Sequence, residues 1–412
     1  MSMKKYSLGI VQTHATQFDG PLFKRLSEYT EIDVTVYYTR PTGRAPLDSE
    51  LGRSPNWDNE VLSRYRCKTR EVGFWGSVRF LSQVMNSNHD LIVIGGYIPF
   101  YHFLIAICAR LRGMAVGLRS DTVMLYSKSA YSVKSILKRL VMPYVFKVYS
   151  FGHPVGTLAK QYLLHYGFPK NRIFRFPYAV DNDYLASRCG RYRLRRDHIR
   201  RALGIEPDSF VVIGIVKFVE REDPMTLLLG FAKLLNHCPT AHLVLIGDGS
   251  MMREIKTTIK EKAIPNVHLP GFVRYSRLPL FYSIADVFVH PPVWESWGVS
   301  VNEAMACGLP VVVASTVGSH VDLVEPGKTG FIFEARNPED LADCLVKLSF
   351  DSALRKKMGN NAKKLIEDWN YDYVEESLLR ALTRAKNDSG QAKVRLRSRK
   401  KCREYTSGIE ER

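Results

Sequence analysis

HPPVWESWGVSVNEAMACGLPVVVAS, residues 290–315, is the stretch whose reading decides the fold. A strand ends near His290, and a loop with Pro291, Pro292 and Gly298 follows. A helix starts near Val299 and stops at Gly308, a natural C-terminal cap; Pro310 then enters the next apolar run. This junction leaves the amides of Val299 and Ser300 without helical acceptors, at the positive end of a helix dipole. Such a place suits a phosphate. Glu295 lies in the loop and Glu303 one turn into the helix, toward the same cleft mouth. A carboxylate that accepts two hydrogen bonds suits the paired hydroxyls of a ribose. A glutamate pair alone reads equally well as two solvated side chains; the whole block does not.

Outward from this block, short apolar runs alternate with helical patterns. In the first half, 6–13, 33–39, 90–96, 115–119 and 147–152 read as strands, each apolar almost throughout, as buried parallel strands are. Near 180 the rhythm breaks, and it restarts at FVVIGIV (210–216). Strands follow at 241–249, 266–272, 285–292, 309–315 and 329–334. Asp223 before Pro224 and Asn337 before Pro338 predict helix starts. The expected class is α/β, with two Rossmann-like, doubly wound domains facing a cleft. The expected division is 1–183 for a first domain on the acceptor side of the cleft, 184–204 for a basic linker, 205–386 for a second domain on the donor side and 387–412 for a basic disordered tail. Helices near 365–386 are candidates to pack back on the first domain.

Of the 412 residues, 45% are hydrophobic and 24% charged, which is ordinary for a globular protein; the net charge of +18 is not. Seven arginines fall within 187–201, and seven Lys or Arg within 393–403. A polyanionic partner is implied: nucleic acid, anionic membrane or a phosphate-bearing substrate. The seven cysteines are scattered without C-x-x-C or metal spacing, which points to reduced thiols and a cytoplasmic protein. The apolar run after the N-terminal lysines is too short for a signal peptide, and no run of 18 apolar residues is unbroken.

The block resembles the donor motif of glycosyltransferase family 4, a retaining group 1 family with the GT-B fold. Two glutamates separated by seven residues, followed by Ala304-Met305-Ala306-Cys307-Gly308-Leu309-Pro310-Val311, carry the resemblance, which extends over most of 205–385. It implies that Glu303 holds the donor ribose and Glu295 contacts the donor sugar. By the same resemblance Gly298 and the amides of Val299 and Ser300 hold the diphosphate, and Val273 and Arg274 lie beside the base. The resemblance also implies no catalytic metal and no cofactor beyond the UDP- or GDP-sugar substrate, and no Asp-x-Asp metal motif stands in a suitable loop. An Arg and a Lys usually follow the first strand of the second domain, where they neutralise the departing diphosphate. Here Lys217 takes the arginine position and Glu222 the lysine position, a charge reversal. Arg221 is the candidate substitute.

In the first half, GLRSDTVM (117–124) stands where many members place a histidine near the sugar. Asp121 is the catalytic candidate there, beside Arg119. The loop QTHATQFDGPLFKRL (12–26) offers His14, Gln17, Asp19 and Gly20 as acceptor or cleft candidates, with a capped turn or structural histidine as the plain alternative. In 127–149, Ile136, Leu137, Leu140, Val141 and Tyr144 share one helical face, with Lys134, Lys138 and Arg139 elsewhere. This reads either as an interfacial helix on anionic lipid or as a core helix with a basic outer side.

The leading expectation is a retaining hexosyltransferase acting on a lipid-linked or polysaccharide acceptor, with peripheral contact at the inner face of the cytoplasmic membrane. The alternatives are a non-catalytic or otherwise specialised GT-B protein and a basic nucleic-acid-binding protein. Charge favours the last; the absence of zinc spacing, RNP-like aromatics or helix-turn-helix in the sequence speaks against it.

Overall fold

The computed structural model describes residues 6–40, 65–71, 73–97, 100–124 and 133–407, with backbone only for 133–135 and 391–407. The apolar runs become two six-stranded parallel sheets. The first takes β1 (Tyr6–Gln12), β2 (Ile32–Tyr38), β3 (Cys67–Thr69), β4 (Leu91–Gly95), β5 (Ala115–Ser120) and β6 (Phe151–Pro154), in the order β3-β2-β1-β4-β5-β6. Helices α1 (Asp19–Glu28), α2 (Gly73–Met85), α3 (Phe100–Leu111), α4 (Val133–Phe146) and α5 (Thr157–His165) alternate with these strands. After α6 (Asn182–Arg193) and α7 (Arg196–Ala202) comes the second set. It holds β7 (Val211–Ile215), α8 (Pro224–Leu234), β8 (His242–Ile246), α9 (Met252–Glu261), β9 (Val267–Gly271), α10 (Leu278–Ile284) and β10 (Val287–His290). It continues through α11 (Val299–Ala306), β11 (Val311–Ala314), α12 (His320–Leu323), β12 (Gly330–Phe333), α13 (Pro338–Phe350), α14 (Ser352–Ile366) and α15 (Tyr371–Ser407).

The second sheet has the order β12-β11-β10-β7-β8-β9, so both sheets follow one winding scheme. The order reverses between β1 and β4 and between β7 and β10. Loops leaving the carboxyl ends of those strands border the two natural ligand crevices. Predicted caps form: Asp223 accepts from the Thr226 amide at 3.1 Å ahead of Pro224, and Asn337 from the Asp340 amide at 3.1 Å ahead of Pro338. The strand expected at 147–152 begins only at Phe151, because Lys147 to Tyr149 close the end of α4 through amides on Pro143, Val145 and Phe146 carbonyls. Strand β3 carried no signal: it has three residues and lies at the sheet edge.

One face of the first sheet, with Leu8, Ile10, Val34 and Val36, is covered by α1 and by α15, which buries Tyr371, Val374, Leu378 and Leu382 there. The other face, with Ile92, Ile94, Val116 and Leu118, is covered by α2, α3 and α4. Residues 184–204, expected as a basic linker, fold instead as α6 and α7 against the second core, where Leu185 and Cys189 are buried. The arginines there hold the structure together. Arg200 is only 2% exposed and donates to the carbonyls of Ile284 (2.9 Å) and Ser209 (2.9 Å) and to Asp286 (2.8 Å); Arg196 donates to Asp286 at 2.7 Å. Against the effect of burial, these two guanidiniums hold the Asp286 carboxyl below its usual range. The tail expected to be disordered from 387 continues α15 to Ser407. Its Gln, Ala, Lys and Arg content is compatible with helix.

Candidate functional site

The site is built at the β7/β10 switch point. Gly298 at the start of α11 has φ +85°, and a Cβ there would lie 2.7 Å from Nε2 of His290, so the position requires glycine. No side chain caps α11, which leaves the first amides, Val299 and Ser300, for an outside acceptor. His290, at the end of β10, lies 3.4 Å through Nδ1 from Ser300 Oγ. Burial lowers its pKa to about 3, so the ring is neutral. The far end of α11 closes as expected: Gly308 donates to Met305 and Leu309 to Ala304, at 2.8 and 3.0 Å.

Glu303, on the buried side of α11, is 3% exposed and accepts from the Tyr282 hydroxyl at 2.8 Å. Burial pushes its carboxyl up to about 7. Tyr275 lies close enough for its own pKa to be raised by burial and by Glu303, and its ring stacks on Tyr184. Asn302 beside it bonds Trp297 Nε1 at 2.9 Å and the Tyr178 carbonyl at 3.0 Å, tying α11 to the segment that joins the two domains.

A second group of charges surrounds Glu295. Arg221 donates to Glu295 at 3.2 Å, to the Trp294 carbonyl at 3.1 Å and to Glu222 at 2.6 Å. A short 3-10 turn at Glu220–Glu222 brings both neighbouring side chains, Arg221 and Glu222, to this place. Burial raises the Glu295 carboxyl and Asp121 adds to the rise, opposed by Arg221 and Lys217. Glu222 is raised by burial and by Glu295, opposed by Arg221 and Lys217. Asp121 of the first domain therefore sits within electrostatic reach of Glu295 of the second.

The first-domain candidates divide. Asp19 and Arg119 meet in a buried ion pair at 2.9 Å. The Arg119 guanidinium lies 4.0 Å from the Phe176 ring centre and 4.8 Å from that of Tyr178, and donates to the Pro177 carbonyl at 3.3 Å. Both were acceptor candidates, but each is occupied by the other. Tyr178 then donates to Asp121 at 3.1 Å. Gly20 lies inside the first turn of α1 with its amide on the Thr16 carbonyl at 3.1 Å, so that amide does not face a phosphate. His14 and Gln17 are half-buried in the loop after β1. His14 Nδ1 is 2.9 Å from Thr13 Oγ1, and burial followed by Arg40 lowers its pKa. Val273 packs against the second core and Arg274 is exposed.

Sequence reasoning missed the Tyr282 and Tyr275 surroundings of Glu303. It also missed a latch between the domains. Asp322 of α12 accepts from the Thr157 amide (2.8 Å), the Thr157 hydroxyl (2.6 Å) and Arg175 (3.1 Å). Arg175 lies over Trp369, which packs on Trp297, the residue before Gly298. Nothing in local periodicity marks such a pairing.

Residues 195–365 match the family described as glycosyl transferases group 1. The D-inositol 3-phosphate glycosyltransferase of Thermomonospora curvata is 27% identical over 239 residues, 56% of this chain and 55% of that protein. The alpha-monoglucosyldiacylglycerol synthase of Acholeplasma laidlawii is 28% identical over 166 residues, 40% of this chain and 41% of that protein. The chain spans about half the length of the curated relatives it matches. The crystal structure of Anabaena Alr3699/HepE in complex with UDP and glucose superposes with a TM-score of 0.69, over 92% of this chain and 99% of that one, at 16% identity, a likeness of fold. The frame is GT-B, and residues 195–365 carry the likeness to the glycosyl transferases group 1 family.

Proposed function

We propose that the protein is a retaining glycosyltransferase that moves a hexose from a UDP- or GDP-sugar to a lipid-linked or glycan acceptor at the inner face of the cytoplasmic membrane, in cell-surface glycan synthesis. The observation that carries this reading is the uncapped start of α11 between two buried or half-buried carboxylates, Glu295 and Glu303, with Lys217 and Arg221 nearby. Two similar proteins favour the same direction: HepE was crystallised with UDP-glucose, and the Acholeplasma relative is named for a glycolipid product.

In this reading Glu303 takes the ribose hydroxyls, and the amides of Val299 and Ser300 take the diphosphate. Charge developing on the leaving phosphate is met by the α11 dipole, Lys217 and Arg221, with no metal called for. The acceptor hydroxyl oxygen bonds to the anomeric carbon from the face the leaving group departs. The anomeric carbon–phosphate oxygen bond breaks, and the acceptor proton passes to the leaving phosphate. Glu295 and Asp121 orient the sugar.

The test is ligand-induced thermal stabilisation against UDP, GDP and their sugars, on the native chain and Glu303→Ala. A donor near 100 times its Kd adds about 2.7 kcal/mol of stability. One nucleotide class is expected to stabilise the native chain and not the variant; no response to any of them sinks the reading.

A non-catalytic GT-B protein is the second reading, favoured by Glu222, which shares Arg221 with Glu295. Glu222→Lys separates the two. A turnover gain of roughly tenfold or more, about 1.4 kcal/mol of barrier, means the native site is crippled; unchanged or lower turnover means Glu222 belongs to a working site.

A further inference from the structure

Helices α2, α3 and α4 cover one face of the first sheet, yet their outer sides are not those of helices that end in water. Ten of the seventeen exposed large apolar side chains among the described residues lie on these three helices. Phe74 and Trp75, at the start of α2, are 74% and 76% exposed, and Phe100 at the start of α3 is 75% exposed. On α4, Ile136, Leu140 and Tyr144 form an exposed stripe at helical spacing, with Leu137 and Val141 alongside. Single exposed apolar residues are ordinary; a grouped set rimmed by polar residues marks a contact surface.

Charge says what the surface fits. None of α2, α3 and α4 contains an Asp or Glu, whereas Arg79, Arg110 and Arg139 are exposed on them, and Arg112 and Lys147 follow α3 and α4. Arg79 has a partner in Glu71 at 2.9 Å, and Lys147 lies over the Tyr144 ring. The opposite face of the same sheet differs on both counts. There α1 and α15 carry Asp19, Glu28, Asp372, Glu375 and Glu376, and none of their described residues is an exposed large apolar side chain. An apolar, Trp-bearing surface with an excess of basic groups is complementary to a bilayer with anionic headgroups.

Position gives the contact a purpose. In a parallel sheet each helix starts at the carboxyl edge of the strands, the edge that carries ligand loops. Phe74, Trp75 and Phe100 open α2 and α3, so they stand at the edge where Asp121 follows β5.

We infer that the α2–α3–α4 face docks on a bilayer containing anionic lipid, with Phe74, Trp75, Phe100 and the α4 stripe entering the headgroup layer and Arg112, Arg139 and Lys147 meeting lipid charge. Docked this way, the first domain presents its carboxyl-edge loops to the membrane side. That a lipid-linked acceptor is then delivered to the cleft rests on the function proposed above; the docking itself does not.

Co-sedimentation with vesicles, without donor, tests it. The full chain is mixed with phosphatidylcholine vesicles and with phosphatidylcholine–phosphatidylglycerol vesicles. The native chain should sediment with the anionic vesicles only. The variant Phe74→Ser, Trp75→Ser, Leu140→Ser should bind roughly tenfold or more weakly, and Arg139→Glu with Lys147→Glu should abolish the preference for anionic lipid. Trp75→Phe should remove a vesicle-induced blue shift of tryptophan emission. All replaced side chains are exposed, so the melting temperature and the donor-induced stabilisation should stay native; that readout separates failure of the surface from failure of the donor reading. Equal binding of native and variant chains, equal binding to neutral vesicles, or no vesicle binding overturns the inference. So does a native dimer that the triple variant splits while vesicles bind neither, which would assign the face to a second copy.

Discussion

The two domains share one strand order but use their carboxyl-edge loops in opposite ways. In the second domain, an uncapped helix start stands among three carboxyls, Glu222, Glu295 and Glu303, whose burial favours the protonated form. In the first, Asp19 and Arg119 cancel each other in the interior, and Gly20 spends its amide on Thr16. The winding of a parallel sheet supplies a place for a ligand; the side chains in the loops decide whether that place binds or merely holds the fold.

That contrast can be broken most severely in the first domain. Arg119→Leu strands Asp19 as a buried, unpaired carboxylate, and breaking a pair of this kind costs about 3–5 kcal/mol. A lower urea midpoint for the first-domain transition is expected, largely recovered in the double variant Asp19→Leu, Arg119→Leu. A native midpoint for Arg119→Leu would mean the pair is not structural.

Next comes the pH response of Glu303. Its folded pKa of about 7 stands above the ordinary 4.5, so the folded chain binds a proton that the unfolded chain has released between those values. The resulting stability is fully present below pH 4.5 and lost as pH rises through 7. The gap corresponds to roughly 3 kcal/mol. Relative to Glu303→Gln, the native chain should therefore gain stability as pH falls from 8 to 4. Donor hydroxyls need the ionised carboxylate, so donor affinity should move the other way and strengthen as pH rises through 7. Parallel pH profiles for native and Glu303→Gln would remove Glu303 from the account.

A smaller effect is expected at Gly298. An alanine would adopt φ +85° at a cost of about 1–2 kcal/mol and press on His290. Gly298→Ala should lower the melting temperature of the second domain modestly while losing donor-induced stabilisation. Retention of the full donor response would show that the start of α11 does not hold the ligand.

The sequence by itself determined what depends on neighbours in the chain. The period of apolar residues placed most strands; Asp223, Asn337 and Gly308 placed helix ends through bonds to residues within a turn; and the spacing of Glu295, Gly298 and Glu303 marked the loop–helix unit. Tertiary structure alone decided what depends on residues far apart. Arg200 and Asp286 turned an apparent linker into packed helices, and Asp19 met Arg119 across a hundred residues. Tyr282 reached Glu303, α15 returned to the first sheet, and Asp322 closed on Thr157. The reason is physical. Capping and periodicity act over one or two turns, whereas the burial and partner that fix the charge of a carboxylate are set by whichever distant segment folds against it.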